Sequence, residues 1–273
     1  MQHQKKERVD VLLVERGLAD SREKAKRLIM AGLIFADQQR IDKPGIRIPL
    51  DSCLIIRGNE NPYVSRGGLK LEKALNRFSV TVKDRIWMDV GASTGGFTHC
   101  LLCNGARKVY AIDVGYGQLD WKLRQDPRVV AMEKTNIRYL KKSDLKDIPE
   151  GAVIDVSFIS LTLVLPVVID LLNEKSTIIA LVKPQFEVGK GKVGKKGVVR
   201  DANLHIEVLE SLTEFIKTLC LEFRGLDFSP ITGPEGNIEF LMHIEKGEYV
   251  NESKCIPAIK DIVYEAHKFF KDK

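Results

Sequence analysis

The run Ile86-Trp-Met-Asp-Val-Gly-Ala-Ser-Thr-Gly-Gly-Phe-Thr98 constrains the fold more than any other segment. An apolar, β-prone stretch enters a glycine-rich turn, and a helical pattern opens directly after it. Such a turn lets a ligand approach the backbone beside the positive end of a helix. Over 69–273 strand-like and helix-like segments alternate. The strand candidates are Ile86–Val90, Lys108–Ile112, Val129–Met132, Ala152–Val156, Thr177–Val182, Glu222–Phe228 and Ile238–Ile244. Helical patterns cover Leu69–Phe78, Phe97–Cys103, Leu161–Leu171, Asn203–Leu219 and Ile256–Lys271. This alternation predicts an α/β, Rossmann-like fold, a mostly parallel sheet covered on both faces. The last two strand candidates are joined by Ser229–Asn237 without a helix, so that pair is expected to be antiparallel.

Residues 1–60 read as a separate, smaller α+β unit. Val9, Leu12 and Leu13 fall at helical spacing and Gly17 stops that helix. Ser21 is the N-cap of a second helix, with Ala25, Leu28 and Ile29 on its apolar side and Gly32 at its end. Short β-type runs follow at Leu33–Ala36, Ile46–Ile48 and Leu54–Arg57. Asn61-Pro62 and Gly67-Gly68 mark 61–68 as a linker, leaving 69–273 as the larger domain.

A length of 273 residues suits this division, and 44% apolar content excludes a disordered chain. The excess of Lys+Arg 43 over Asp+Glu 37, +6, permits an anionic partner without demanding one. Five cysteines and a polar opening, Met1 to Arg8, predict a reducing, cytoplasmic setting with no leader. Ala152–Leu172 has the length of a membrane span, but Asp155, Pro166 and Asp170 make it a buried strand followed by a helix.

Asp113 ends the strand after the glycine turn, 22 residues beyond Gly91, where a carboxylate can bind ribose hydroxyls. A nucleoside-bearing cofactor is therefore expected. The dinucleotide pattern G-x-G-x-x-G is absent, which argues against a nicotinamide oxidoreductase, and no G-K-[ST] appears. Asp89 would repel a pyrophosphate and suits a cation, which favours S-adenosylmethionine. The candidate cofactor residues are Asp89, Gly91, Ala92, Ser93, Thr94, Gly95, Gly96, Phe97, Asp113 and Asn136. Asp155 and Lys183 end neighbouring apolar strands and should face one crevice. The basic, glycine-rich run carrying Lys190, Lys192, Lys195 and Lys196 reads either as a clamp on RNA phosphates or as a solvated loop. His99, Cys100 and Cys103 lack a second ligand pair, so they are read as core groups and no metal is assigned.

Two resemblances sharpen this reading. The runs Arg8 to Gly17 and Ser21 to Gly32 resemble the S-four-like RNA-binding domain of ribosomal-protein type, with Arg8, Arg22 and Lys26 as candidate RNA contacts. The segments Ser65-Arg-Gly-Gly-Leu-Lys70, Asp89 to Thr98, Asp155 to Ser160, Leu181 to Glu187 and Gly236-Asn-Ile-Glu239 resemble the TlyA family over nearly the whole chain. That family is often labelled haemolysin, yet comprises ribosomal RNA 2′-O-methyltransferases with an FtsJ-like catalytic domain. The resemblance implies a Lys-Asp-Lys-Glu tetrad at Lys70, Asp155, Lys183 and Glu239, a cytidine target, ribosomal RNA or ribosomal subunits as partners, and Arg66 near the RNA. In that setting Lys183 would serve as base, its charge disfavoured by burial and by Lys70. A membrane-lytic protein and a non-catalytic rRNA-binding assembly factor are the alternatives. No broad amphipathic helix supports the first, and the second predicts binding without turnover.

Overall fold

The computed structural model describes residues 5–30, 32–56, 61–189, 191, 193–194, 197–247 and 258–271. Two units emerge, Met1–Pro62 and Tyr63–Lys273. The smaller begins with β1 (Lys6–Arg8), α1 (Val9–Glu15) and α2 (Arg22–Met30). Gly17 takes a φ of 69° at the end of α1, and the Lys24 N–H donates to Ser21 Oγ at the start of α2. Four short strands follow: β2 (Ile34–Ala36), β3 (Gln39–Arg40), β4 (Arg47–Pro49) and β5 (Leu54–Ile56). β1 pairs with β4, while β2 lies between β3 and β5, all antiparallel. The apolar faces of both helices meet these strands in a core of Val9, Leu12, Leu13, Ala25, Leu28, Ile29 and Ile34.

The larger unit alternates strands and helices: α3 (Gly67–Phe78), β6 (Ile86–Val90), α4 (Gly96–Cys103), β7 (Lys108–Ile112), α5 (Trp121–Gln125) and β8 (Val129–Met132). Then come β9 (Gly151–Ile154), α6 (Leu161–Leu171), β10 (Ser176–Val182), α7 (Pro184–Glu187), α8 (Ala202–Thr218), β11 (Glu222–Phe228), β12 (Phe240–Lys246) and α9 (Ile259–Lys271). The strands form one sheet in the order β11-β12-β10-β9-β6-β7-β8. β12 runs antiparallel to both β10 and β11, and the remaining pairs are parallel. This is the expected α/β architecture with its antiparallel final strand. Every residue of β6, β9 and β10 is buried, as expected for strands covered on both faces.

One local reading changes and another holds. The stretch 61–68 is not loose: Tyr63 is buried in the core of the larger unit, and Gly67-Gly68 form the first turn of α3. A Cβ on Gly68 would lie 2.2 Å from Tyr63 Cγ, so this glycine serves a close approach rather than a flexible joint. The apolar stretch 152–172 resolves into β9 and α6, with Asp155 between them. Among the described residues no helix is long and apolar enough to cross a membrane.

Candidate active site

The strand register brings the site together. In the parallel pair of β6 and β9, Val90 faces Ile154, and the Asp155 N–H extends the ladder to Val90 O at 2.9 Å. Asp155 therefore sits beside Gly91, whose φ is 89°. A Cβ at Gly91 would lie 2.5 Å from the Asp155 carbonyl oxygen. Only glycine fits there, for conformation and for space.

Val182 faces Phe240 across the antiparallel pair of β10 and β12. Lys183 leaves the end of β10 where Glu239 enters β12, so reversing the last strand delivers its N-terminal carboxylate to the edge where the parallel strands end. Lys70, from the first turns of α3, meets that carboxylate with Nζ 2.5 Å from Glu239 Oε2, both side chains being buried. Lys183 Nζ lies 2.7 Å from Asp155 Oδ1, off the hydrogen-bond axis, and donates to Ser157 Oγ at 2.8 Å. The tetrad is thus two ion pairs. Burial pushes the Glu239 carboxyl up, the Lys70 charge opposes that shift, and smaller influences of Asp155 and Lys183 also reach it.

Both pairs line a cavity of about 330 Å³ together with Ser65, Arg66, Gly67, the glycine turn and part of the 231–234 segment. Of the sequence candidates, Arg66, Lys70, Gly91, Ala92, Ser93, Thr94, Gly96, Phe97, Asp155, Lys183 and Glu239 lie on its wall. The segment bearing Ser65 is tied to α4 by the Val64 N–H, which donates to His99 Nδ1 at 3.1 Å, and to α3 by the Tyr63 hydroxyl, which donates to Glu72.

Four cofactor candidates are not on that wall. Asp89 is fully buried behind the turn, its Oδ2 accepting from Thr98 N–H and Oγ1 at 2.8 and 2.7 Å; it anchors the first turn of α4. Asp113 accepts from the backbone of Ser93 at 2.8 Å and of Gly115 at 2.6 Å, bracing the turn from behind. Gly95 adopts a φ of 92° and packs against Leu119 and Leu123. Asn136 caps a short 3₁₀ turn, its side chain accepting from the Arg138 N–H.

The cavity also includes residues that spacing did not single out: Ser65, Ser157, Ile231, Thr232 and Pro234. Ser157, two places past Asp155, was the most accessible of these from sequence, as a hydroxyl at a strand end. Next to it Phe158 is 90% exposed at a φ of 64°.

In the smaller unit Arg8 and Arg22 both bond the Asp10 carboxylate, while Lys26 is exposed. Lys190, Lys192, Lys195 and Lys196 lie outside the described residues. No group of three metal-ligating side chains occurs among the described residues, and His99 serves Val64 instead. Cys100 is buried as expected of a core thiol, whereas Cys103 is exposed.

A strand running into a glycine turn, beside a cavity at the carboxyl edge of a mostly parallel sheet, is the arrangement of an α/β enzyme whose ligand site lies outside the strand ends. Comparison with known proteins narrows the class. The FtsJ-like methyltransferase family profile matches residues 63–246, and the S4 domain profile matches residues 7–51. The chain belongs to the FtsJ-like methyltransferase family and is a methyltransferase with an S4 domain at its N-terminal side. It is 57% identical over 272 residues to "Putative rRNA methyltransferase YqxC" of Bacillus subtilis, covering 98% of this chain and 97% of that one. It is 44% identical to the 16S/23S rRNA (cytidine-2′-O)-methyltransferase TlyA of Mycobacterium tuberculosis, covering 86% and 88% of the two chains. Among solved structures, "Putative hemolysin" from Streptococcus thermophilus matches with a TM-score of 0.77 at 50% identity, over 99% of this chain and 98% of that one.

Proposed function

We propose that the chain transfers the methyl group of S-adenosylmethionine to the ribose 2′-hydroxyl of a cytidine in ribosomal RNA, in the cytoplasm. The observation that carries this reading is the gathering of Lys70, Asp155, Lys183 and Glu239 on one cavity wall with the glycine turn. The relatives whose names specify rRNA cytidine-2′-O-methylation support the choice of substrate.

The turn from Gly91 to Phe97, braced by Asp113, would hold the cofactor. The cavity is at the lower end of the size range for small-molecule sites. When bound, the cofactor supplies an electrophilic methyl group on a sulfonium. The protein's task is then to hold one sugar hydroxyl in line and accept its proton. Lys183 is paired with Asp155 and donates to Ser157. It acts as a donor to the ribose oxygen and not as the base that the sequence suggested. The hydroxyl proton passes to Asp155, whose side chain keeps 20% exposure to the cavity. Proton loss becomes easy as the oxygen gains its bond to carbon, so a carboxylate suffices. The buried pair Lys70–Glu239 forms the fixed wall against which the sugar is oriented, and orientation supplies several kcal/mol of the barrier reduction.

The test is incubation with labelled S-adenosylmethionine and each purified ribosomal subunit, followed by mapping of ribose methylation. Lys183→Ala is expected to lower turnover at least a thousandfold while cofactor affinity stays within about threefold. Full turnover by that variant would remove Lys183 from the mechanism, and the absence of ribose methylation on any RNA would overturn the reading.

A further inference from the structure

We propose that Asp10 is a positioning residue for RNA: buried itself, it fixes Arg8 and Arg22 side by side as a preset pair of phosphate-binding guanidiniums. This rests on the reading of the smaller unit as the RNA-docking part of the enzyme. The Asp10 side chain has 0% exposure. Arg8 grips it with two bonds, Nε to Oδ1 at 2.9 Å and Nη2 to Oδ2 at 3.0 Å. Arg22 Nη2 adds a third, to Oδ2 at 3.0 Å. Arg8 lies just ahead of α1 and Arg22 is the first residue of α2, so one carboxylate joins cations from two elements.

Both guanidiniums nonetheless keep one side open, at 39% and 55% exposure. A guanidinium has five N–H donors in a planar fork; bonding one edge to a carboxylate orients the opposite edge outward. The rotamer freedom that a long side chain loses on gripping a phosphate is then already lost in the free protein, which favours binding. The Asp10 carboxyl is held down at about 2, chiefly by the Arg8 hydrogen bonds, so the trio stays ionised with a net charge of +1. Glu7 adds a carboxylate beside Arg8, accepting from its backbone N–H.

Charge arithmetic gives the test an opposite sign for the alternative. Asp10→Asn raises the net charge by one, which on electrostatics alone tightens RNA binding. Positioning instead predicts about tenfold weaker binding of the full-length variant to purified ribosomal subunits at fixed salt. In an Arg8→Ala/Arg22→Ala background, Asp10→Asn should cause no further loss. Arg8→Lys and Arg22→Lys, which keep the charge and lose the fork, should also weaken binding. Unchanged or tighter binding by a folded Asp10→Asn protein would overturn the proposal. If that variant unfolds the smaller unit, wild-type affinity in the lysine variants would overturn it equally. Wild-type binding by Arg8→Ala/Arg22→Ala is a separate result, one that removes the arginine pair from RNA recognition altogether.

Discussion

Asp89 has no room for a charge. Its Oδ2 is satisfied by Thr98, whereas Oδ1 is buried with no partner. Burial pushes the carboxyl up to about 7, Asp155 and Asp113 adding to the shift and Thr98 opposing it. The unfolded chain gives up this proton near pH 3.8, so between about pH 4 and pH 7 the native state binds more protons than the unfolded one. The contribution of Asp89 to stability therefore falls as pH rises through that window and levels off above it, a change on the order of 4 kcal/mol. Asn at this position copies the neutral carboxyl in shape and in its acceptor for Thr98. Urea unfolding at pH 5.5, 7 and 8.5 should show Asp89→Asn gaining on the wild type as pH rises; an identical pH slope in both proteins would show that Asp89 is ionised throughout. The sequence suggested that this residue faces the cofactor. Spacing could not have corrected that, because every residue of β6 is buried and no polar–apolar alternation marks a face.

At the scale of elements, the strand–turn–helix at the head of the sheet is where geometry is least forgiving. A methyl group on Gly91 meets backbone rather than a yielding side chain, at a φ that disfavours it as well. Gly117 offers a control, since its φ is 70° but nothing lies within 4 Å of its would-be Cβ. Gly117→Ala should cost about 1 kcal/mol from conformation alone. Gly91→Ala should cost about 2 kcal/mol more and weaken cofactor binding, because relief of the clash moves Asp155. Denaturation midpoints and calorimetric titration with cofactor check both; equal effects of the two substitutions would mean that β9 yields freely. Strands of β-branched residues and helices of eight residues or more were legible in the sequence because their periodicity repeats. α5 and α7, of five and four residues, are too short to repeat i, i+3, i+4, and Pro184 was read only as a turn. The convergence of Lys70 with Glu239, 169 residues apart, has no local signature. Its suggestion came from resemblance, and its physical cause is the reversed register of β12 against β10.

For the whole molecule, the decisive fact is that, among the described residues, each apolar cluster draws on one side of the division at Pro62. Val9 to Ile56 supply the core and flanking contacts of the smaller unit, while the two clusters of the larger unit draw only on residues from Tyr63 onward. Among the described residues, the cavity is likewise lined only by those from Ser65 onward. Each unit then has the means to unfold separately, and the smaller, with fewer buried side chains, should melt first. Calorimetry of the full chain should resolve two transitions. A chain of residues 63–273 should keep only the upper one, at a temperature within a few degrees of its original value. It should also bind S-adenosylmethionine with affinity close to that of the full protein, since no residue of its cavity wall has been removed. Ribosomal subunits should bind at least tenfold more weakly, in keeping with the loss of Arg8, Arg22 and Lys26. A single transition in the full chain, or a truncated chain that no longer folds, would mean that the larger unit depends on the smaller for its stability. Undiminished subunit affinity in a folded truncation would instead shift RNA recognition onto the catalytic domain alone.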